Sequence, residues 1–320
     1  MMPPATTSIA GESHLSAGVM PLMVGGTGRS GTTVLSRLLG QHPQIRASWP
    51  QEIKFLNSAD GLLDLAEARP APVGIARLRM RKALGRGPVE ALDAFADGMT
   101  GRWWERSNRL SRDSGLHLGI DRADVDRLLL ELRERFPADP DGAARSFFFG
   151  FIEAQRNNGG EPIWVDTSPP NIANATRIHR LIPTARFIFM IRDGRATAAS
   201  VMRERWGPDD PLEAIDWWRK RTVRAHRGLS GVPASQALPM SLEDLVIRDR
   251  EGSYARLLDF LGIDDDPAMR TFFDEKMLAA RLNPSGWREK VPDADAFERS
   301  YRVAAEQLRH DGIDPHEWIA

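Results

Sequence analysis

The chain has 320 residues, 42 % of them hydrophobic and 27 % charged, with a formal net charge of −1 and no cysteine. That composition supports a sizeable core and excludes disorder over most of the length, as well as disulfides, zinc–cysteine centres and thiol nucleophiles. The charge balance gives no global excess of cations to release counterions from a phosphate backbone, so nucleic acid is not an expected partner.

Residues 1–20 have neither a basic n-region nor an apolar h-region and read as a flexible N-terminal tail, not a signal peptide. No apolar run approaches the roughly 20 residues a membrane span needs, so no transmembrane segment is expected and the expected location is cytoplasmic. Pro21 to Val24 is short and apolar, GGTGRSGTT follows, and Val34, Leu35, Leu38 and Leu39 then recur at helical spacing. The order is strand, glycine-rich turn, helix. Gly40 closes that helix, His42-Pro43 prevents its continuation, and Gln44 to Trp49 is a second short strand. Between 60 and 158 the pattern is almost wholly helical, interrupted by Pro70, Pro72, Pro88, Pro137 and Pro140. This stretch is read as a helical insertion forming a substrate lid.

Strand character returns at 163–166, a helix is expected over 171–181, and Arg186 to Arg192 follows with an unbroken apolar centre. Such a run suits a strand buried on both faces of a parallel sheet. Helices are expected at 193–205, 212–228, 251–261 and 296–310, with a strand at 236–241. The alternation predicts an α/β, P-loop-like three-layer fold with a central parallel sheet, in one domain from 21 to 320.

Gly26 to Thr33 has the glycine spacing of the nucleotide P-loop, whose backbone N–H groups and helix N-terminus cradle phosphates. Position 32 is Thr, where an NTPase has the Lys that reaches the β/γ-phosphates. This argues against ATP or GTP hydrolysis and leaves the anion cradle intact. Arg29 adds a positive charge inside the loop. Ile191-Arg192-Asp193-Gly194-Arg195 begins where the buried strand ends, and Ser200 lies eight residues after Arg192 on the next helix. Ligands of open α/β sheets bind at that carboxyl edge. Arg can give a forked pair of charge-assisted bonds to phosphate, and Ser adds a hydroxyl donor. The plainer alternatives are a capped glycine turn that binds nothing and an arginine paired with a carboxylate.

GTGRSGTT, followed by HPQIR and PQEIKF, resembles the 5′-phosphosulfate loop of sulfotransferases that use 3′-phosphoadenosine 5′-phosphosulfate (PAPS), in the bacterial and Golgi-type branch with an Arg-Ser-Gly-Thr-Thr core. RFIFMIRDGRATAASVMRERW is similar to the segment that grips the 3′-phosphate in the same family. The likeness spans most of residues 22–56 and 160–290. It implies that Gly28, Arg29, Ser30, Gly31, Thr32 and Thr33 hold the 5′-phosphosulfate, and that Arg192 and Ser200 hold the 3′-phosphate. A second phosphate anchor distinguishes PAPS from an ordinary nucleotide.

An acceptor hydroxyl or amine must lose its proton as sulfur bonds to it, so a general base must stand close by. The resemblance puts Glu52 in that role. Sulfuryl transfer also needs in-line geometry and a cation at the departing oxygen. Many relatives supply a Lys from an Asp/Glu-Lys-Thr-Pro segment, but here Val165-Asp166-Thr167-Ser168-Pro169 carries Thr167 at that position. Arg29 is the first substitute and Lys54 the second. Ser285-Gly286-Trp287-Arg288 resembles the loop that folds over the nucleotide, which makes Arg288 a cofactor contact, with a surface turn around a packed Trp as the alternative. Ser241-Leu-Glu-Asp-Leu-Val resembles the family segment Tyr-Glu-Asp-Leu-Val and is read as structural.

The implied reaction moves a sulfuryl group from PAPS to a carbohydrate, lipid, peptide tyrosine or small natural product. The rivals are a P-loop kinase and a catalytically degenerate binding module of the same fold. Seven His residues without ligand spacing give no metal site. His42 is read as a turn residue, and Trp103-Trp104 and Trp217-Trp218 as core anchors before stacking platforms. The basic run Arg77, Arg79, Arg81, Lys82 and Arg86 is read as a solvated face before a guide for an anionic acceptor or a membrane surface.

Overall fold

The computed structural model describes residues 18–68, 87–105, 115–283 and 285–313. The basic run between Arg77 and Arg86, and most of the N-terminal tail, lie outside the described residues. Five strands, β1 (Met20–Gly26), β2 (Ile45–Ala47), β3 (Ile163–Asp166), β4 (Arg186–Ile191) and β5 (Ala237–Ser241), form one sheet in the order β2-β3-β1-β4-β5. Every pairing is parallel. Parallel neighbours need crossover connections, which α1 (Thr32–Leu39), α2 (Leu62–Ala66), α3 (Pro88–Asp97), α4 (Arg122–Arg135), α5 (Pro140–Glu153), α6 (Ala175–Leu181), α7 (Gly194–Val201) and α8 (Pro211–Leu229) supply; α9 (Arg250–Leu261), α10 (Pro267–Lys276) and α11 (Ala294–His310) follow the last strand.

The expected three layers follow from side-chain alternation along the strands. Leu22, Val24, Ile163, Val165, Ile188 and Met190 point to one face, where Leu35, Leu38, Tyr254, Leu257 and Phe273 of α1, α9 and α10 cover them. Met23, Trp164, Phe187, Phe189 and Ile191 point to the other, against the helices between β2 and β3 and against α6. Successive residues of a strand face opposite ways, so an unbroken apolar run fills two cores at once. The insertion is therefore built onto the sheet. Its centre is a Phe group in which Phe55 meets Phe151 at 4.6 Å and Phe95 meets Phe147 at 5.1 Å between ring centroids, both edge-on. A third cluster joins α7, α8 and α11 through Ala198, Trp218, Phe297 and Tyr301.

Three details differ from the sequence reading. The helix expected over 171–181 begins as a 3-10 turn at Pro169–Asn174 and becomes α-helical at Ala175. The helix expected to reach 205 ends at Val201. Helix α10 was not expected, although Asp266 caps it by accepting from Ala268 N and Met269 N and Pro267 occupies its first turn, the usual signal for a helix start. Among the described residues no helix is long and apolar enough to cross a membrane.

Candidate functional site

Strand β1 delivers the glycine loop to the carboxyl edge of the sheet between β3 and β4. Gly28, Arg29 and Gly31 take left-handed conformations, with φ of 92°, 59° and 99°. Only glycine adopts these freely, so the turn needs glycine at 28 and 31 and holds Arg29 in a conformation an L residue seldom takes. A Cβ at Gly31 would stand 2.9 Å from Leu242, and one at Gly26 would stand 2.3 Å from the Ser30 hydroxyl and 2.6 Å from the Met190 carbonyl. Ser30 is fully buried, and its hydroxyl has no partner.

The end of β4 comes to the same place. Arg192 donates from Nη1 to the Arg29 carbonyl oxygen at 3.0 Å, while its buried Nε has no partner. Arg29 donates from Nε to Ser200 Oγ at 3.1 Å and pairs through Nη1 with Glu204 at 3.2 Å. Burial lowers the pKa of Arg192; Glu243 and Asp193 oppose the shift and the nearby Arg29 adds to it. A partly desolvated guanidinium facing a second cation is an environment that favours an arriving anion. Asp193 caps α7 by accepting from Arg195 N and Ala196 N, and its own N–H donates to Glu243 at 3.1 Å. Burial pushes the Glu243 carboxyl up, against these hydrogen bonds and the Arg192 charge. Glu243 thus ties the segment after β5 to the turn after β4, and its neighbour Leu242 lines the cavity described below.

At the end of β3 a buried carboxylate organises the segment that carries Glu52. Asp166 accepts from Ile53 N at 3.0 Å, Ser168 N at 3.2 Å, Asn171 Nδ2 at 2.8 Å and the Ser48 hydroxyl at 3.4 Å. Burial pushes its pKa up, and these hydrogen bonds pull it back. Thr167 donates from Oγ1 to the Gln51 carbonyl at 3.2 Å and from its N–H to the same oxygen at 3.4 Å. The backbone on both sides of Glu52 is therefore fastened to β3. Glu52 is ion-paired through Oε2 with Lys54.

These three strand ends enclose one cavity of about 780 Å³. Gly28, Arg29, Gly31, Thr32, Thr33, Glu52, Lys54 and Arg192 all line it. Ser200 and Ser30 are not among the lining residues: Ser200 is hydrogen-bonded to Arg29, which is, and Ser30 is fully buried. Arg288 is not among the lining residues: its guanidinium stacks at 4.4 Å on Trp287, whose buried ring packs against Phe297 at 5.5 Å.

Sequence reasoning missed Trp206, Arg221 and Leu242, which also line the cavity. The Trp206 and Trp217 rings lie 5.8 Å apart at 40°, and both come within 3.7 Å of where a Gly28 Cβ would be. Arg221 sits 4.5 Å over the Trp217 ring. Trp217 and Arg221 stand four residues apart on α8 and so share a face, a local signal that could have found the pair. Trp218, by contrast, is a core anchor, as are Trp103 and the half-buried Trp104. His42 is buried in a turn, accepting at Nδ1 from Gln44 N and so donating from Nε2 to the Asp264 carbonyl.

Residues 21–267 match the family model described as the sulfotransferase family. A protein-tyrosine sulfotransferase 2 from Gallus gallus is 24 % identical over 252 residues, covering 76 % of this chain and 52 % of that protein. The chain thus spans about half the length of this curated relative. Among solved structures, a sulfotransferase from Mycobacterium avium is 17 % identical with a TM-score of 0.46, covering 92 % of this chain and 78 % of that one. The sulfotransferase domain of the Synechococcus PCC 7002 olefin synthase gives 17 % and 0.46, covering 93 % of this chain and 96 % of that one.

Proposed function

Since the chain belongs to the sulfotransferase family, we propose that it transfers a sulfuryl group from PAPS to a hydroxyl or amine acceptor by in-line displacement, with Glu52 as general base. The observation that carries this reading is the shared cavity: the glycine loop, Arg192 and Glu52 come from three separate strand ends and line one space. The residues fit such a donor. The loop's left-handed turns shape an anion cradle, and two buried donors, Ser30 Oγ and Arg192 Nε, have no protein partner. When bound, PAPS supplies the sulfuryl group and leaves as adenosine 3′,5′-bisphosphate.

Each residue then has a role set by its position. The backbone amides of 28–33, with Thr32, Thr33 and Ser30, hold the 5′ group, and Arg192 with Ser200 holds the 3′-phosphate through charge-assisted bonds. Glu52 takes the acceptor proton at Oε1, the oxygen not engaged by Lys54. Arg29 and Lys54 line the same wall and stabilise the charge that gathers on the departing phosphate oxygen, in place of the lysine that Thr167 replaces.

Calorimetry with adenosine 3′,5′-bisphosphate, and adenosine 5′-phosphate as control, tests the donor site. The 3′-phosphate should tighten binding by about 100-fold, the scale of two charge-assisted bonds. Equal affinity for the two nucleotides would rule the reading out. Labelled-sulfate transfer tests the base: Glu52→Gln should lose about 10²–10⁴-fold in rate, and undiminished transfer would remove Glu52 from the mechanism.

A further inference from the structure

A second cavity, of about 580 Å³, adjoins the first and shares Pro169, Pro170 and Arg221 with it. One wall is the face of α8 that carries Arg221, Arg224 and Arg227; the other is the turn from Pro169 to Asn174 and the start of α6, with Arg177. Gly228 allows the helix this close approach, since a Cβ there would stand 2.1 Å from the Ile172 carbonyl oxygen. Four arginines therefore face one cleft. Arg177 is spoken for by Asp64 and Glu67, each at 2.8 Å. Among the described residues no carboxylate pairs with Arg221, Arg224 or Arg227, although this helix pairs its other basic side chains readily, as Arg219 and Lys220 do with Asp216.

Like charges crowded into a cleft repel one another, and low-dielectric walls strengthen the repulsion. Burial and the neighbouring Arg224 both disfavour the charged form of Arg221. The same arrangement focuses a positive potential into the cleft and raises the local concentration of anions. Arg221 and the two prolines line both cavities, so the arginine cleft lies directly beside the space that Glu52 lines.

We propose that this cleft is an acceptor subsite: the acceptor carries a carboxylate, sulfate or phosphate group that docks against Arg221, Arg224 and Arg227 while its nucleophilic atom faces Glu52. The inference rests on the sulfotransferase reading and adds a substrate class to it. The anion is a recognition element held away from the reacting centre, bound by α8 and the 169–177 segment. Arg224 and Arg227 line only the smaller cavity, so they separate acceptor recognition from donor binding.

The test uses the full chain saturated with adenosine 3′,5′-bisphosphate, titrated calorimetrically with phenyl phosphate, benzenesulfonate or benzyl alcohol. The two anions should bind at one site per chain and at least about tenfold tighter than the alcohol, and the tighter of the two identifies the charge the cleft is built for. The double variant Arg224→Gln/Arg227→Gln should weaken both anions by about tenfold or more, while its affinity for the bisphosphate stays that of the wild type. Anions that bind no better than the alcohol, or equally well to both proteins, overturn the proposal. A chain that binds the anions but not the bisphosphate overturns the sulfotransferase reading, and with it the assignment of the cleft to an acceptor.

Discussion

The ends of β3 and β1 lie side by side on one edge of the sheet and use their polar groups in opposite ways. At the end of β3, Asp166 accepts four hydrogen bonds and is buried, and Thr167 ties itself to Gln51. Beside it, the loop after β1 keeps the Ser30 hydroxyl without a partner and holds three residues in left-handed conformations, and Arg192, from the end of β4, brings a second unpartnered donor in its Nε. A buried polar group without a partner costs about 1–3 kcal/mol, and αL strain at a residue such as Arg29 costs about 1–3 kcal/mol. The contrast teaches where to look for chemistry. Asp166 and Thr167 spend their polar groups on their own chain, although the Ser168 hydroxyl beside them is also buried without a partner, whereas the glycine loop and Arg192 line a cavity.

The sharpest way to break this comparison is to damage each side and read stability and binding separately. Asp166→Ala strands several buried donors and should cost about 3–5 kcal/mol in urea unfolding; a loss below about 1 kcal/mol would mean the knot is not structural. Arg192→Ala should do the reverse, costing about 2–3 kcal/mol in affinity for adenosine 3′,5′-bisphosphate and under about 1 kcal/mol in stability. A variant that unfolds without losing affinity would place Arg192 with the scaffold. Thr167→Val removes one side-chain hydrogen bond and should cost about 1 kcal/mol of stability, while nucleotide affinity stays unchanged in the same calorimetric assay.

The smallest effect concerns pH. Burial raises the Glu243 carboxyl above its ordinary value. A raised acid contributes stability that is complete below the unfolded carboxylate pKa of about 4 and is lost as pH rises through the folded value. The wild type should therefore lose stability relative to Glu243→Gln as the pH is raised from about 4 towards neutrality, measured as the difference in thermal midpoint. A difference that stays flat, or runs the other way, would show that Arg192 and the Asp193 N–H outweigh burial.

How much of this could be read from the sequence depended on distance along the chain. The glycine loop was legible because a phosphate cradle is a local motif, and β4 because a two-faced strand must be apolar throughout. Arg192 and Ser200 were legible through one turn-and-helix spacing. Leu242 was not, since it lies about 200 residues from the loop it faces and nothing nearby announces it; Arg221 is as distant, and its only local signal is the four-residue spacing from Trp217. Thr167 stood out as a departure, but only coordinates could show that its hydroxyl holds Gln51. Arg288 sits in a recognisable short motif, yet the ring it stacks on is anchored in the α7–α8–α11 cluster, which short-range pattern does not encode.

One contact set has a consequence for turnover. Before any ligand arrives, Arg29 already holds Ser200 and Glu204, and its carbonyl holds Arg192. Under the proposed function, a nucleotide taking Ser200 and Arg192 would exchange old bonds for new ones, so its net affinity would be a difference between two comparable sums. On the departure of that nucleotide the arginine would re-engage its neighbours, which would offset part of the bonds lost as it leaves.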